Sequence, residues 1–445
     1  MKTRIIPRRL ELDTTTPFRR GAPLFVCTLC MTATTALANE PVINEPSAFP
    51  APVQPAAEAE WGWSYDPGVG LTFASADGDN SVTVIGRIQN DWAFMSADDG
   101  PKSIDPSNPF VDGTEFRRAR LGAKGTLYGN VNWKAEYDFV GSNTGFRDVY
   151  MGINDVLFGT DFRVGHMKEP FSLEQLTSSK YITFMERSLV DSMVPAYNTG
   201  GRFSNHYGDH HLGWAAGVFR DTGDNGTSAQ TKDGAYNVTA RVYWAPVHND
   251  DASSVVHLGV AGSFRKPESG TGRVRTRPEM RMAPRVLDTG NYASDGTTHA
   301  GFEAAWVSGP LSLQGEYVME TINGAAGAPD IDVSGFYGFV SYFLTGEVRP
   351  YSSKSGAFGR VKPETNYGSE SSGAWELALR YSALDIDAPA VVTAGDLADV
   401  TAGVNWYLNP NTRVMFNYVM GDLDSNTDSF DGKLNAFMMR FQIDF

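Results

Sequence analysis

The stretch "AFMMRFQIDF" (436–445) decides the fold of this 445-residue chain. Apolar side chains occupy every second position in it, namely Phe437, Met439, Phe441, Ile443 and Phe445. Because the side chains of a strand point alternately to opposite faces, this spacing predicts a β-strand with one fully apolar face. Such a face must be covered, either by the core of a soluble sheet protein or by lipid.

The same alternation recurs upstream in "VTVIGRIQNDWAF" (82–94), "FRRARLGAKGTLY" (116–128) and "VNWKAEYDF" (131–139). In each segment one face is apolar and the other carries charged or amide side chains, with Asn90 as an exception. Two architectures produce this pattern. A soluble β-sandwich would turn the charged faces to water, whereas a membrane barrel would turn the apolar faces to lipid.

The carboxyl-terminal strand favours the barrel. A terminal aromatic residue such as Phe445 on an amphipathic strand resembles the ending of bacterial outer-membrane barrels, which is read by the barrel-assembly machinery. From Trp61 onward no stretch reaches the roughly 18 uninterrupted apolar residues that a membrane helix needs. We therefore predict an all-β fold, a transmembrane antiparallel β-barrel in the outer membrane of a Gram-negative bacterium, in contact with lipid and lipopolysaccharide.

About sixteen segments show strand character, and an even number closes an antiparallel barrel. They are 82–96, 116–128, 131–140, 146–154, 161–167, 201–206, 210–219, 234–245, 254–265, 297–307, 311–320, 334–344, 373–385, 397–408, 411–420 and 433–445. Alternate connections are short and rich in Gly, Pro and Asn, as periplasmic turns are. The connection 345–372 breaks this pattern, and the sixth segment, "RFSNHY", is short and polar.

The amino terminus predicts export. Basic residues precede an apolar run that ends in the A-x-A pattern of a secretory signal, so we expect cleavage before Asn39. Residues 1–38 are then a signal peptide, 39–60 a flexible Pro/Ala/Glu spacer, and 61–445 the barrel domain. Both cysteines, Cys27 and Cys30, fall in the signal peptide. The exported chain therefore needs no disulfide.

Charge and motifs exclude several classes of protein. The whole chain carries a formal charge of -15, and loss of the signal peptide leaves 31 basic and 50 acidic residues. This acidity argues against nucleic acid as a partner. The "DHH" turn (209–211) is a poor metal site because adjacent histidines point apart, and no nucleophile elbow, phosphate loop or zinc-protease motif occurs. We expect no enzyme activity, no metal and no cofactor.

Seven blocks of the sequence resemble the phosphate-selective porins O and P. They are "FRRARLGAKG", "RVGHMKEPFSLEQLTSSKYITFMERSL", "RVRTRPE", "SYFLTGEVRPY", "FGRVKP", "GAWELALRYS" and "NWYLNPNTRVMFNYV". The resemblance implies a homotrimer of sixteen-stranded barrels that passes phosphate or related anions by passive diffusion. It also implies an arginine ladder, and inward-folded pieces for which 168–200, 266–296 and 345–372 are the candidates.

The ladder is expected in "RVRTRPEMRMAPR" (273–285), which holds five arginines. Arg273, Arg275 and Arg277 would share one face if extended, about 6.6 Å apart from one to the next. Arg281 is a further rung by hypothesis, and Arg285 lies outside the spacing. The alternative is an exposed loop whose arginines pair with Glu268, Glu279 and Asp288.

A narrow site is expected where donors replace part of the hydration of an oxyanion. The candidates for this constriction are Lys168, Arg87, Arg118, Arg120, Ser172 and Arg187, with Asp138 orienting an arginine or accepting from a protonated phosphate. The candidates for an exit site are Lys354, Arg360 and Lys362. The alternative for the constriction residues is a salt-bridge lattice with Asp91, Glu136 and Glu376 that stiffens the wall.

Two rival functions stay open from the sequence. The first is a porin of the same fold with other or weak ion selectivity, which the acidic composition suggests. The second is a blocked barrel whose long loops act as a surface binding protein.

Overall fold

Sixteen antiparallel strands form a closed barrel in this computed structural model, which describes residues 61–141, 144–249, 253–368, 370–388 and 391–445. The predicted signal peptide and spacer lie outside the described residues. The strands are β1 Ser81–Ala97, β2 Gly113–Leu127, β3 Val131–Asp138, β4 Gly145–Leu157, β5 Thr160–Lys168, β6 Tyr197–Tyr207, β7 Leu212–Arg220, β8 Asn237–His248, β9 Ser254–Arg265, β10 Tyr292–Ser308, β11 Leu311–Gly324, β12 Ile331–Phe343, β13 Ala374–Asp387, β14 Gly395–Asn409, β15 Thr412–Ser425 and β16 Gly432–Asp444.

The carboxyl-terminal strand, β16, closes the barrel. β16 pairs with β15 on one side and with β1 on the other, for example Phe441 with Asn90. All sixteen predicted segments are strands, so the predicted fold and strand count are confirmed. The polar sixth segment is longer than predicted, and it pairs along its length with β5 and β7.

The two faces of each strand differ as the alternation predicts. In β12 buried and exposed residues alternate from Ile331 to Phe343, and the exposed set includes Phe336 and Val340. The outward face of the closing seam carries Phe94, Phe437 and Phe416, whose neighbouring rings lie 6.4 Å apart. Arg380 and Arg440 are instead wholly buried inside the barrel. Apolar side chains therefore predominate on the lipid-facing side, and buried charges such as Arg380 and Arg440 face the lumen.

The connections divide the barrel into two ends. At the terminal end, where β1 begins and β16 stops, turns such as 128–130 are tight, and Tyr128 and Gly129 adopt positive φ angles of 50° and 74°. At the loop end, the longest connections are 169–196 and 266–291. The exception at the terminal end is 344–373, which buries Tyr351 and Phe358. By the turn-length rule, the terminal end is expected to face the periplasm.

An amino-terminal hairpin, Trp61–Asp66 and Gly70–Ser75, was not among the sixteen predicted strands. Its second strand pairs with the first residues of β1, such as Thr72 with Thr83. β16 pairs with β1 only from Arg87 onward. The hairpin therefore extends the edge that β16 leaves free and adds no strand to the closed wall.

Short elements occupy the connections. They comprise the helices Asp99–Ile104 and Leu173–Leu176, the 3-10 turns Leu189–Ser192, Gly208–His210, Ala325–Gly327 and Asp428–Phe430, and the two-residue strands Thr271–Gly272, Arg275–Thr276, Leu287–Asp288, Tyr351–Ser352 and Ala357–Phe358. Among the described residues, no helix has the length and apolarity needed to cross a membrane.

Loops 169–196 and 266–291 fold into the lumen and form an apolar core there. Phe171 and Phe184 from the first loop and Met280 from the second belong to one buried cluster with Val318 of β11 and Met438 of β16. Burying an aliphatic or aromatic side chain of this size contributes about 1.5–3 kcal/mol. The core therefore fills the lumen beside β11–β16, and the polar open space lies beside the other strands.

Candidate functional site

The open space is a cavity of about 860 Å³ inside the barrel. Among the described residues, ten cationic side chains line it, against two carboxylates, Asp148 and Asp161. The cations are Arg87, Arg118, Arg120, Lys134, Arg163, Lys168, Arg187, Arg202, Arg241 and Lys354. With walls of low dielectric, such an excess of one sign raises the local concentration of the opposite ion. The lining therefore favours anions.

Loop 169–196 builds one edge of the cavity. Its short helix begins after Ser172, whose Oγ accepts a hydrogen bond from the Gln175 backbone N–H at 3.1 Å. At the other end Arg187 donates to the carbonyls of Glu174 and Thr177 at 3.0 and 3.1 Å. Lys168 Nζ donates to the carbonyl of Gln175. The unpaired carbonyls of the helix end thus hold two cations at the cavity edge.

Part of the wall is a salt-bridge lattice. Arg87 donates to Glu136 at 2.6 Å and to Ser179 Oγ at 2.6 Å. Arg120 pairs with Asp138 at 2.8 Å. These contacts fix both guanidinium groups, and each carboxylate neutralises part of the charge. The lattice that the sequence left open as an alternative is therefore present around Arg87 and Arg120.

Arg118 and Lys168 stand outside this lattice. Arg118 donates to Gln89 Oε1 at 2.8 Å, and Gln89 in turn donates to Gln442 at 2.6 Å. Lys168 Nζ lies 5.7 Å from the ring centroid of Tyr197. Within the part of the chain that the structure describes, neither cation has a carboxylate within 4.0 Å. Uncharged acceptors therefore hold both cations in place, and their charges are not neutralised.

The predicted site residues fall into two groups. The cavity brings together Arg87, Arg118, Arg120, Lys168, Arg187 and, from the terminal-end segment, Lys354. It does not include Ser172, which caps the helix, or Asp138, which lies behind Arg120. Arg360 instead pairs with Asp444 and with the Pro410 carbonyl, and Lys362 is exposed 4.0 Å from Asp66. Four predicted site residues therefore do not line this cavity, because each makes another contact in the structure. They are Ser172, Asp138, Arg360 and Lys362.

The arginine-rich loop keeps the predicted spacing. Arg273 and Arg275 are exposed while Val274 and Thr276 between them are buried, so alternate side chains share a face. Residues Arg275–Thr276 pair with Leu287–Asp288 as a short extended segment. Extension puts the arginines on one side of the chain, as a ladder requires.

The pairing alternative applies to one of these arginines. Arg273 forms a salt bridge with Asp288, with Nε 2.7 Å from the carboxylate. Glu279, also expected to pair in the loop, is buried and accepts hydrogen bonds from Ser382 and Arg380 of the wall. Arg277 donates to the Ala283 carbonyl at 2.7 Å. Burial, reinforced by Arg285, Arg281 and Arg275, lowers the pKa of Arg277 to about 10.

This difference predicts unequal effects for two neighbouring arginines. We expect Arg275→Ala to lower anion conductance roughly twofold at low ionic strength, because its charge has no acidic partner in the described residues. Arg273→Ala should change conductance less, since Asp288 already neutralises that charge. Single-channel recording of both variants checks the order, and equal conductance losses would contradict it. Neither substitution should alter trimer assembly.

Lys180, in loop 169–196, gives a prediction about pH. Burial, offset in part by Asp444 at 3.6 Å, lowers the pKa of Lys180 from 10.5 to about 8. At a pH between these two pKa values the unfolded chain binds more protons than the folded one, so the free energy of unfolding rises with pH. We expect a rise of up to about 3 kcal/mol that Lys180→Met lacks. Denaturant unfolding in detergent at pH 8 and pH 10.5 measures it, and parallel pH profiles would contradict it.

Sequence reasoning missed four lining cations: Lys134, Arg163, Arg202 and Arg241. The face parity of the strands carries the missing signal. Phe162 and Val164 flank Arg163 in β5 and face outward, so Arg163 faces inward. Arg202 sits in the sixth segment, whose polar character obscured the alternation.

Comparison with known proteins gives consistent results. A model of the family described as phosphate-selective porin O and P matches residues 82–445. The chain is 29% identical over 417 residues to Porin O of Pseudomonas aeruginosa, covering 84% of this chain and 90% of that one. It is 28% identical over 441 residues to an uncharacterized protein of Caulobacter vibrioides, covering 93% of this chain and 84% of that one.

Solved structures agree on the fold. The anion-selective porin from Comamonas acidovorans has a TM-score of 0.51 at 14% identity, covering 82% of this chain and 100% of that one. The outer membrane channel DcaP of Acinetobacter baumannii has a TM-score of 0.52 at 13% identity, with coverage of 84% and 99%. OmpT of Vibrio cholerae in its trimer form has a TM-score of 0.51 at 13% identity, with coverage of 82% and 99%.

Proposed function

We propose, from the premise that this chain belongs to the phosphate-selective porin O and P family, that its cationic cavity conducts phosphate and related oxyanions by passive diffusion. The family and the barrel make the protein an outer-membrane anion porin, a channel rather than an enzyme. The preference for phosphate is the proposal. The observation that supports it is the lining of ten cations against two carboxylates.

The chemistry of the lining suits an oxyanion. Seven of the ten cations are arginines, whose planar forks donate to two oxygens at once and whose charge is permanent. An ion that enters must lose water, and several donors acting together offset that loss. Because Arg87 and Arg120 are already paired with acids, the field that the ion meets is moderate, so the ion can leave again.

The acidic composition does not by itself conflict with anion passage, because part of the acidic charge lies on the outer face of the barrel. Asp385 of β13 lies opposite Asp396 of β14, which lies opposite Asp424 of β15. All three are exposed, and they alternate with buried lumen-facing neighbours. Their charge therefore faces away from the cavity. The acidic composition is then a weaker argument for a cation-selective porin.

A homotrimer is part of the proposal. Support comes from the family and from the trimer form of the Vibrio cholerae structure with the same fold. Contacts with lipopolysaccharide and with the assembly machinery through the strand ending at Phe445 also stay predictions.

Planar-bilayer recording tests the function. Purified trimers in a KCl gradient should give a reversal potential that shows anion preference, and inorganic phosphate should reduce the chloride current by occupying the cavity. A reversal potential of cation preference would refute the proposal. Absence of any conductance would instead favour the rival reading as a blocked surface-binding barrel.

A further inference from the structure

Arg163 of β5 and Arg202 of β6 stand directly opposite each other in the sheet, and both line the cavity. Two like charges at opposed positions of an antiparallel pair destabilise the sheet. Their backbone register fixes this opposition, because the strands also pair at Phe162 with Phe203 and at Val164 with Gly201.

Among the residues that the structure describes, no carboxylate neutralises the pair. Within the described residues neither arginine has an acidic oxygen within 4.0 Å, and each Nε is buried without a hydrogen-bond partner. Asp148 of the lining is bound to Lys134 Nζ at 2.6 Å. The other lining carboxylate, Asp161, accepts from the backbone N–H of Asp155 at 3.2 Å.

Three buried arginines of the same barrel do have acidic partners. Arg241, which also lines the cavity, donates to Glu303 at 2.7 Å, and Arg380 and Arg440 each contact two acidic residues. Three further arginines, Arg118, Arg349 and Arg413, lack an acidic partner, but each donates to a glutamine side chain. Within the described residues the Arg163–Arg202 pair has neither kind of partner, and an unpaired charge inside a barrel destabilises the fold, so this pair is left to a ligand.

We propose that Arg163 and Arg202 form a second anion subsite that binds a tetrahedral oxyanion dianion such as phosphate. This proposal rests on the proposed function. Two guanidinium forks can each donate to separate oxygens of one phosphate, whereas chloride offers no such geometry. The ring of Tyr150 lies 4.8 Å from the Arg163 guanidinium carbon and restricts its movement.

The subsite lies toward the terminal end of the cavity. Arg163 is near the start of β5, whereas Lys168 ends that strand at the loop end. Arg202 likewise precedes the terminal-end turn that follows Tyr207. An ion at Lys168 and Arg118 would repel one at the arginine pair, and two sites of this kind release ions faster than one deep site.

The test uses full-length trimers in planar bilayers, with chloride as the current carrier. Inorganic phosphate is added to one side at a time, and the concentration that halves the current is measured for Arg163→Gln, Arg202→Gln and the double variant. We expect this concentration to rise roughly tenfold from the terminal-end side and much less from the loop-end side. Lys102→Gln, on the exposed helix Asp99–Ile104, is the matched control with the same charge change and should behave as wild type.

Stability provides a second measurement. In phosphate-free buffer both single variants should melt at or above the wild-type temperature, because the repulsion within the pair is gone. Phosphate should raise the melting temperature of wild type more than that of the double variant. Arg163→Lys and Arg202→Lys keep the charge and lose the fork, so they should show intermediate phosphate affinity.

The outcomes separate the two proposals. Phosphate block of wild type that survives the double substitution unchanged from both sides would overturn the subsite and leave the anion porin intact. A wild-type channel without anion preference, and without block by phosphate from either side, would refute the proposed function itself.

Discussion

Replacing Arg440 with Met should destabilise the barrel by about 3–5 kcal/mol and release the inward loop. Arg440 is wholly buried in β16 and binds Asp91 through Nε and a terminal nitrogen, at 2.7 and 2.6 Å. It also contacts Glu186 of loop 169–196 at 2.7 Å and donates to the Met185 carbonyl. Its loss leaves the buried carboxylate of Asp91 without its cation and removes one of the two cations that bind Glu186.

The loop should respond as well as the wall. Arg117 still binds Glu186, at 2.8 Å, so we expect partial and not complete release. Single-channel conductance should then rise while anion preference falls, because the edge that carries Arg187 moves away from the cavity. Gel electrophoresis of heated and unheated trimers measures the loss of stability, and bilayer recording measures the conductance and the anion preference.

Lys433→Met provides the matched control on the same strand. Its ammonium pairs with Asp422 at 3.3 Å, and both side chains are exposed. An exposed pair of this kind contributes about 0–1 kcal/mol, so this variant should assemble and conduct as wild type. If Arg440→Met were as stable as Lys433→Met, the contacts of Arg440 with Asp91 and Glu186 would not be what holds loop 169–196.

Alternation predicted the strands, and the amphipathic carboxyl-terminal strand ending at Phe445 decided for a barrel over a sandwich. The outward face of β12 carries Phe336, Val340 and Tyr342 at alternate positions along its middle and end, and lipid favours such apolar residues along the wall. Strand pairing then follows from chain order, because each strand pairs with the next one along the chain and β16 closes on β1. The hairpin 61–75 escaped the count, since it pairs on the free edge of β1 and no closure rule demands it.

The site was predictable only in part, because a cation that faces the lumen can either pair with a carboxylate of the wall or stay unpaired. The sequence shows that Arg87, Arg118 and Arg120 face inward, but not which of them meets a carboxylate. That depends on contacts across the barrel, such as Arg87 with Glu136, and on where an inward loop comes to rest. Ser172 shows the same limit, since its position in a loop cannot reveal that its hydroxyl caps a one-turn helix.

Substituting Lys168 with Gln should weaken phosphate block of the chloride current roughly ten- to a hundredfold, the range expected when a charged donor is removed. Lys168 is chosen because it lines the cavity, has no acidic partner in the described residues and is fixed by the Gln175 carbonyl. Unlike Arg440, it bridges no buried carboxylates, so assembly should be retained.

The charge and the geometry of Lys168 can be separated by a second variant. Lys168→Arg keeps the charge, and we expect it to retain block within a few-fold of wild type, whereas Lys168→Gln should not. If both variants lost block equally, position rather than charge would explain the effect. If neither lost it, Lys168 would be a loop anchor only, and the binding donors would have to be sought at Arg118, whose side-chain contact to Gln89 leaves its charge equally uncompensated. The comparison therefore assigns the constriction to one cation or the other by a measurement on folded trimers.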